Sequence, residues 1–492
     1  MSWAEPLYTA EEMRAAEAAY PGETVELMER AGAAVAQEVL TRFPDAERAA
    51  VVCGTGANGG DGLLVAAELA RVGKRSVARI VGSEEKITRD SAVMLARARE
   101  AGVAFVDEQT PTDVIVDALF GTGFSGKPRP DAALVIAQMN AAAVPVVSVD
   151  LPSGVDASTG TVQGPAVQAS VTVTFHARKV GHVVAPGRFH AGEVVVADIG
   201  LEPGETRVRR ANRDVLGLVP RRTERDNKYT AGSVLVVGGS TGLTGAPSLA
   251  SEAALRAGAG IVTACVPASL NLVLEQRLVE VMTRPCPDED GTMTPEAADE
   301  ILAAAERAGA IALGPGLGRT EGARALVGFL LDRLEKPIVL DADGLWALAG
   351  HLDWVFAREA PTVLTPHAGE LGRLLGRPSA WVTAHRLDAV QAGADDTGAV
   401  VLLKGMDTLV AGPGRTPVVA DLGNAGLATA GSGDVLTGVV ATFLAKGMEA
   451  GRAAIAAAAA CGTASHVAAE RHGEAGMIAR DVVEALSPAL SG

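Results

Sequence analysis

Aromatic side chains are scarce in this chain: nine Phe, four Trp and three Tyr amount to 3% of 492 residues. Its cores must therefore be filled mostly by Ala, Val and Leu. Cysteine is scarcer still. Cys53, Cys265, Cys286 and Cys461 stand far apart with no CxxC pair, which indicates neither a zinc site nor a disulfide framework and fits reduced thiols in a cytosol. Positive charge is outweighed, with 43 Lys and Arg against 59 Asp and Glu and a formal net charge of −16. A nucleic-acid or anionic-membrane surface needs clustered Lys and Arg, so neither partner is expected. The one short basic run, Arg207, Arg209, Arg210, Arg221, Arg222 and Arg225, has Glu and Asp mixed into it and reads as an interdomain linker. Long hydrophobic runs are also lacking. The most apolar stretch, Ala453–Cys461, is mainly alanine and shorter than the roughly 20 residues of a membrane span; it reads as a buried helix. Residues Met1–Pro6 lack a basic segment followed by an apolar one, so no signal peptide is expected.

What the chain does have is length, alternation and glycine. Its 492 residues exceed one ordinary core, since domains run to roughly 100–200 residues each. After a helical segment, Ala10–Phe43, strand-like runs recur at Ala49–Cys53, Ser76–Val81, Val114–Ala118, Val144–Val149, Val171–Phe175 and Glu193–Asp198. A polar stretch, Glu202–Thr230, is broken by Pro203 and Pro220. A second series follows at Val234–Val237, Ile261–Val266, Ala310–Leu313, Ile338–Leu340, Thr362–Leu364 and Val400–Leu403, then a long Ala-rich helical region, Asp434–Leu486. Apolar strands alternating with helices predict mostly parallel sheets covered on both faces. The expectation is two α/β domains, at residues 1–215 and 222–492, with no internal repeat between them.

The loop Gly54-Thr55-Gly56-Ala57-Asn58-Gly59-Gly60-Asp61-Gly62 follows a strand and satisfies the dinucleotide pattern GxGxxG, a weak match alone. A pyrophosphate would rest on amides at the helix start, where Asp61 repels it. Asn58 and Asp61 suit a cation, a sugar hydroxyl or a carboxamide; the plain alternative for Asp61 is a helix cap. Two further strands end in acid and glycine, at Asp117-Ala118-Leu119-Phe120-Gly121 and Asp150-Leu151-Pro152-Ser153-Gly154. Ligands of open α/β sheets bind at that edge.

These three motifs, in this order, resemble the NAD(P)HX epimerase family over roughly residues 8–205. The resemblance implies a Rossmann-like three-layer α/β/α domain. It implies a potassium ion held by Asn58, Asp117 and Ser153. Substrate contacts carry over to Ala57, Asn58, Gly59, Gly60 and Asp61, to Gly121, Thr122, Gly123, Phe124, Ser125, Gly126 and Lys127, and to Asp150, the candidate acid/base. Ala57 stands where the family usually has a second Asn.

In the second half, Gly238-Gly239-Ser240, Gly314–Gly318, Thr365–Glu370, Lys404-Gly405 and Asn424–Asp434 again follow strands. Gly431–Gly433 precede an apolar helix, so backbone amides there can hold a transferring phosphate, with Asp434 beside them to act on a hydroxyl. Capping is again the plain alternative for Asp434. His367 reads either as a polar residue near a helix start or, with Glu370, as a site for ligand and magnesium. Lys404 reads as a phosphate partner or a solvated charge. Together with Gly258-Ala259-Gly260, these motifs resemble the ADP-dependent NAD(P)HX dehydratases, a ribokinase-like family, over roughly residues 225–488. Substrate contacts carry over to Ala259, Gly318, His367 and Asp434, and ADP contacts to Lys404, Gly405, Met406, Asp407, Thr408 and Gly433. Asn227-Lys228-Tyr229 stands where that family commonly has His-Lys-Gly.

The fused order resembles bifunctional enzymes that repair hydrated NADH and NADPH. It implies interconversion of the R and S hydrates NADHX and NADPHX, then dehydration of the S form at the expense of ADP, with K+ and Mg2+ as ions and a homo-oligomer of four or more chains. Two other readings stay open: a small-molecule kinase fused to an NAD-binding oxidoreductase, and a non-catalytic binding module in the first half.

Overall fold

A computed structural model describes residues 2–108 and 110–491. The chain divides into two compact units, Pro6–Val208 and Arg209–Gly492, the second joined by the N-terminal residues up to Glu5.

In the first unit, strands Arg48–Cys53, Arg75–Ile80, Ala104–Phe105, Val114–Ala118, Val146–Val149, Val171–Phe175 and Glu193–Ala197 form one sheet. Every pairing in it is parallel. Numbered along the chain, the strands lie in the order 3-2-1-4-5-6-7. Helices Thr24–Arg42, Ala57–Arg71 and Arg89–Glu100 pack on one face and Pro130–Ala141 on the other. The expected helix Ala10–Phe43 is two, Ala10–Ala18 and Thr24–Arg42, because Pro21 lacks an N–H and disfavours helical geometry in the residue before it.

The second unit repeats that order. Ser233–Val237, Ile261–Pro267, Met282–Cys286, Ala310–Leu313, Ile338–Leu340, Thr362–Leu364 and Val400–Leu403 are parallel and again lie 3-2-1-4-5-6-7. Thr408–Ala411 and Val418–Ala420 then add antiparallel strands. Strand Val208–Ala211 pairs with the last of these. Arg209 and Arg210, expected in a linker, are therefore strand residues, and Arg210 is tied to Asp421 at 2.7 Å. The division falls at Val208–Arg209, before the 215–222 interval that composition suggested.

Helices Ser432–Ala445, Ala450–His472 and Ala479–Ser491 close the second unit. Small residues let backbones come close: a Cβ on Gly438 would lie 2.0 Å from the carbonyl oxygen of Ala250, in helix Gly245–Arg256. Among the described residues no helix is long and apolar enough to cross a membrane.

Candidate active sites

In both sheets the strand order reverses beside the first strand, and ligands of open α/β sheets bind outside the carboxyl ends of the strands at such a point. In the first unit that point lies between Arg48–Cys53 and Val114–Ala118, with Val52 opposite Asp117. The glycines of the first loop allow close approach rather than phosphate binding. A Cβ on Gly54 would meet the Leu119 carbonyl oxygen at 2.2 Å, and one on Gly59 the Gly54 carbonyl oxygen at 1.9 Å. The helix starts at Ala57 with Gly56 as its cap, so Asp61 lies inside the helix and does not cap it.

Asp117 is fully buried in its strand. It accepts hydrogen bonds from Ser153 Oγ at 2.6 Å, Ser153 N at 2.9 Å, Ser148 Oγ at 2.9 Å and Leu119 N at 3.3 Å. Burial raises its carboxyl above the usual range against the pull of those donors. Ser153 Oγ also accepts from Phe120 N at 2.8 Å. Asn58 Oδ1 lies 2.7 Å from where a Gly121 Cβ would be. Asn58, Asp117 and Ser153 thus meet around one turn, Leu119–Gly121. Asn58 Nδ2 is buried with no hydrogen-bond partner. Rotating the amide puts its oxygen there, so this donor set of carboxylate, amide and hydroxyl fits one weakly charged hard cation.

Asp150 sits on a left-handed turn, φ 65°. Its carboxylate faces the fully buried Lys179 ammonium at 2.7 Å and accepts from Thr122 N at 2.9 Å, Thr174 Oγ1 at 3.1 Å and the Thr122 hydroxyl. Burial alone would raise its pKa; Lys179 and these donors outweigh burial and hold it at about 2. His182 accepts the Lys179 N–H on Nδ1 at 2.9 Å, so Nε2 carries the proton that goes to the Asp150 carbonyl at 2.7 Å. Burial, then Lys179, lowers that imidazole to about 3, which keeps it neutral. Asp61 moves the other way: burial, then Asp150 and Glu17, push its carboxyl well above the usual range against the opposing pull of Lys179.

In the second unit, helix Ser432–Ala445 opens at Gly431, whose φ of 90° suits glycine. Asp434 is the third residue of that helix and does not cap it. Burial, then Asp341, raises its carboxyl to about 7, against the opposing pull of Lys404. Lys404 lies 2.7 Å from Asp341 and 3.7 Å from Glu370; these charges outweigh burial and raise its pKa. Its Nζ would stand 3.3 Å from a Cβ on Gly433, at the glycine mouth. Asp341 also accepts from Thr437 Oγ1 at 2.9 Å. Asp343 accepts from Gly318 N at 3.0 Å and Arg319 Nε at 2.7 Å. A cavity of about 210 Å³ opens beside this cluster, lined in part by Lys404, Gly405, Met406, Thr408, Gly433 and Cys461.

Family models match both units. One described as NAD(P)H-hydrate dehydratase matches residues 234–488, just over half the chain, and one described as YjeF-related protein N-terminus matches residues 24–181. The bifunctional NAD(P)H-hydrate repair enzyme Nnr of Moorella thermoacetica is 39% identical over 98% of this chain and 96% of its own length. This chain belongs to the bifunctional NAD(P)H-hydrate repair enzymes. The same-named enzyme of Mycobacterium tuberculosis is 39% identical over 91% of this chain and 90% of its own. An ADP/ATP-dependent NAD(P)H-hydrate dehydratase of Bacillus subtilis, co-crystallised with ATP and Mg2+, is 28% identical at a TM-score of 0.50, covering 57% of this chain and 96% of that one. A ribokinase-like protein of Enterococcus faecalis, 23% identical at a TM-score of 0.51, covers 59% and 98% and shares the fold.

Against this family background the sequence-derived residues sort unevenly. Thr122 touches Asp150, and Phe124 stacks on Phe120 at 4.8 Å. Gly123, Ser125 and Lys127 are exposed on the same turn. Gly318 and His367 lie at the carboxyl edge of the second sheet with Asp434. His367, though, is a helix cap: its Nδ1 accepts from Gly369 N at 2.9 Å and its Nε2 lies 3.4 Å from Glu370. Among the described residues no three His, Cys, Asp or Glu side chains converge as a metal site. Glu370 returns the cap to His367 N at 2.9 Å, so magnesium has no ready-made cage here. Ala259 lies apart from these residues. It precedes strand Ile261–Pro267, at the opposite edge of the sheet, buried with its N–H on the Ala254 carbonyl at 3.0 Å. The Asp407 carboxylate turns inward to Arg386 at 2.9 Å and is not among the residues that line the cavity. Lys179, Asp341, Asp343 and Arg386 were not anticipated. Asp341 and Asp343 were within reach, since they follow the apolar run Ile338–Leu340 as Asp117 and Asp150 follow theirs.

Proposed function

We propose that the Arg209–Gly492 unit dehydrates S-NAD(P)HX with ADP and that the Pro6–Val208 unit interconverts the R and S hydrates. The observation that carries the reading is Asp434, a carboxyl near neutrality beside Lys404 and an open helix mouth, in a chain of this family. Hydroxide leaves poorly, so the C6 hydroxyl must first be made a phosphate ester. Asp434 takes the hydroxyl proton as the oxygen attacks the terminal phosphorus of ADP, the bond to AMP breaks, and the amides of Gly433 and Asp434 with Lys404 neutralise the transferring group. Phosphate then leaves C6 and a C5 proton follows, giving the reduced nicotinamide. Purified hydrates should regain absorbance at the reduced-nicotinamide band only with nucleotide and this chain; no regain overturns the reading.

ADP should support turnover better than ATP at equal concentration, which a side-by-side assay checks. A clear preference for ATP refutes the co-substrate assignment and leaves the fold untouched. Magnesium would arrive with the nucleotide. The four cysteines, all free and buried, fit a reducing cytosol.

For epimerisation, the hydroxyl proton leaves, the C6–N1 bond opens to an aldehyde with N1 protonated, and closure on the other face gives the other epimer. Asp150, which the sequence suggested as acid/base, is saturated by donors and acts best as a fixed carboxylate. Asp61, whose carboxyl burial pushes well above the usual range, can give one proton and take the other. Opposite shifts on two neighbouring carboxyls are the usual mark of such a division. Asn58, Asp117 and Ser153 would hold potassium, which when bound supplies a positive charge beside the Leu119–Gly121 turn. Asp117→Ala should epimerise at least tenfold more slowly, with and without potassium, by chromatography of the R and S forms. Wild-type rates in that variant would overturn the ion assignment.

A further inference from the structure

The turn Lys404–Thr408 joins antiparallel strands Val400–Leu403 and Thr408–Ala411, and Gly405, Met406 and Thr408 border the cavity. Beneath it lies an ion pair that contributes nothing to the lining. Arg386 opens helix Arg386–Thr397 and is 6% exposed; Asp407 is 1% exposed. Arg386 Nε donates to Asp407 at 2.9 Å, and Nη2 reaches the carbonyl oxygens of Leu403 at 3.5 Å and Lys404 at 3.3 Å. A Cβ on Gly405 would fall 2.4 Å from Arg386 Nη2, so the guanidinium presses directly against the turn. Thr408 Oγ1 closes the other side by donating to the Gly405 carbonyl at 2.8 Å.

We propose that Arg386, acting through Asp407, is a positioning residue for the nucleoside diphosphate: it fixes the backbone wall that receives the nucleotide without touching it. The proposal rests on the nucleotide-dependent reading above. A buried ion pair is weak evidence for stability, because desolvation offsets its attraction. What this pair supplies is geometry. The planar guanidinium bonds one carboxylate and two carbonyls at once, which a lysine ammonium on a flexible stem does not reproduce. A wall held in its binding conformation spares the ordering cost that a loose turn would pay on association. Lys404 keeps its ammonium in place separately, through Asp341. Loss of Arg386 therefore falls mainly on nucleotide affinity.

The test uses the full chain. Arg386→Lys keeps the charge; Arg386→Met with Asp407→Asn removes both charges, so that no buried carboxylate is stranded and the fold survives. ADP binding is measured by calorimetry without hydrate, and KM and kcat are measured for ADP and hydrate. Both variants should bind ADP at least tenfold more weakly, with the KM for hydrate within twofold of wild type and kcat falling less than the KM for ADP rises. An ADP affinity within twofold of wild type in the folded double variant overturns the proposal. So does a hydrate KM that rises in step with that for ADP, which marks general damage. A wild-type chain that binds no ADP overturns the nucleotide reading and this proposal with it.

Discussion

Asp434→Asn loses ADP-dependent dehydration by a factor of about 10² to 10⁴, the usual worth of a positioned base, while R and S hydrates still interconvert at the wild-type rate. The carboxyl titrates at about 7, so the wild-type rate climbs with pH up to that value and levels off above it. The same shift has a stability consequence of definite sign. The folded state holds the Asp434 proton more tightly than the unfolded chain does. Stability from this group is present below the ordinary carboxylate pKa and is lost as pH rises through 7. Asparagine cannot ionise, so the variant should be the more stable protein at pH 8. The gain is about 1–2 kcal/mol once the half-buried position is discounted for solvent screening, and it narrows at pH 5. Thermal melts at the two pH values read the stability, and nicotinamide absorbance reads the activity. A folded variant that still dehydrates with ADP removes Asp434 as the base.

Lys179→Met abolishes epimerisation and unfolds at lower denaturant. The ammonium is fully buried and bonds Thr174 Oγ1 at 2.8 Å and the Phe175 carbonyl at 2.9 Å as well as Asp150. Its removal strands a buried carboxylate, which costs about 3–5 kcal/mol. Asp150 then loses the partner that held it at about 2, and burial drives its pKa up. The pair Lys179→Met with Asp150→Leu removes both charges and should recover most of the stability but none of the activity. Urea unfolding and epimer chromatography separate the two effects. If Lys179→Met unfolds and epimerises as the wild type does, the ion pair serves neither purpose.

How much of this was legible in the residue order depends on burial. Strands Ala310–Leu313 and Val400–Leu403 end where their apolar runs end, because a parallel strand buried on both faces is close to apolar throughout. Met282–Cys286 carries Arg284 and Pro285 at the edge of its sheet and shows no such run. Val208–Ala211, with two arginines in four residues, reads as linker for the same reason. The acids at strand ends announced both sites. Their partners did not: Lys179 lies in a polar stretch 29 residues beyond the Asp150 it neutralises, and Arg386 is paired with Asp407 across a helix and a strand. The motif Gly258-Ala259-Gly260 does not say at which end of a strand it lies, and the structure places it before Ile261–Pro267.

The close approach of the Ala-rich helices implies an asymmetric tolerance to change. Helix Ala450–His472 buries mostly methyl groups, and a Cβ on Gly462 would meet the carbonyl carbon of Leu422, in the loop after strand Val418–Ala420, at 2.7 Å. Trimming such a core leaves little cavity, since there is little side chain to remove. Enlarging it forces whole helices apart, at about 1–3 kcal/mol or more for each added group. Evolutionary drift in this region should therefore run among Ala, Gly and Ser, while the Val- and Leu-rich strands tolerate swaps that conserve volume.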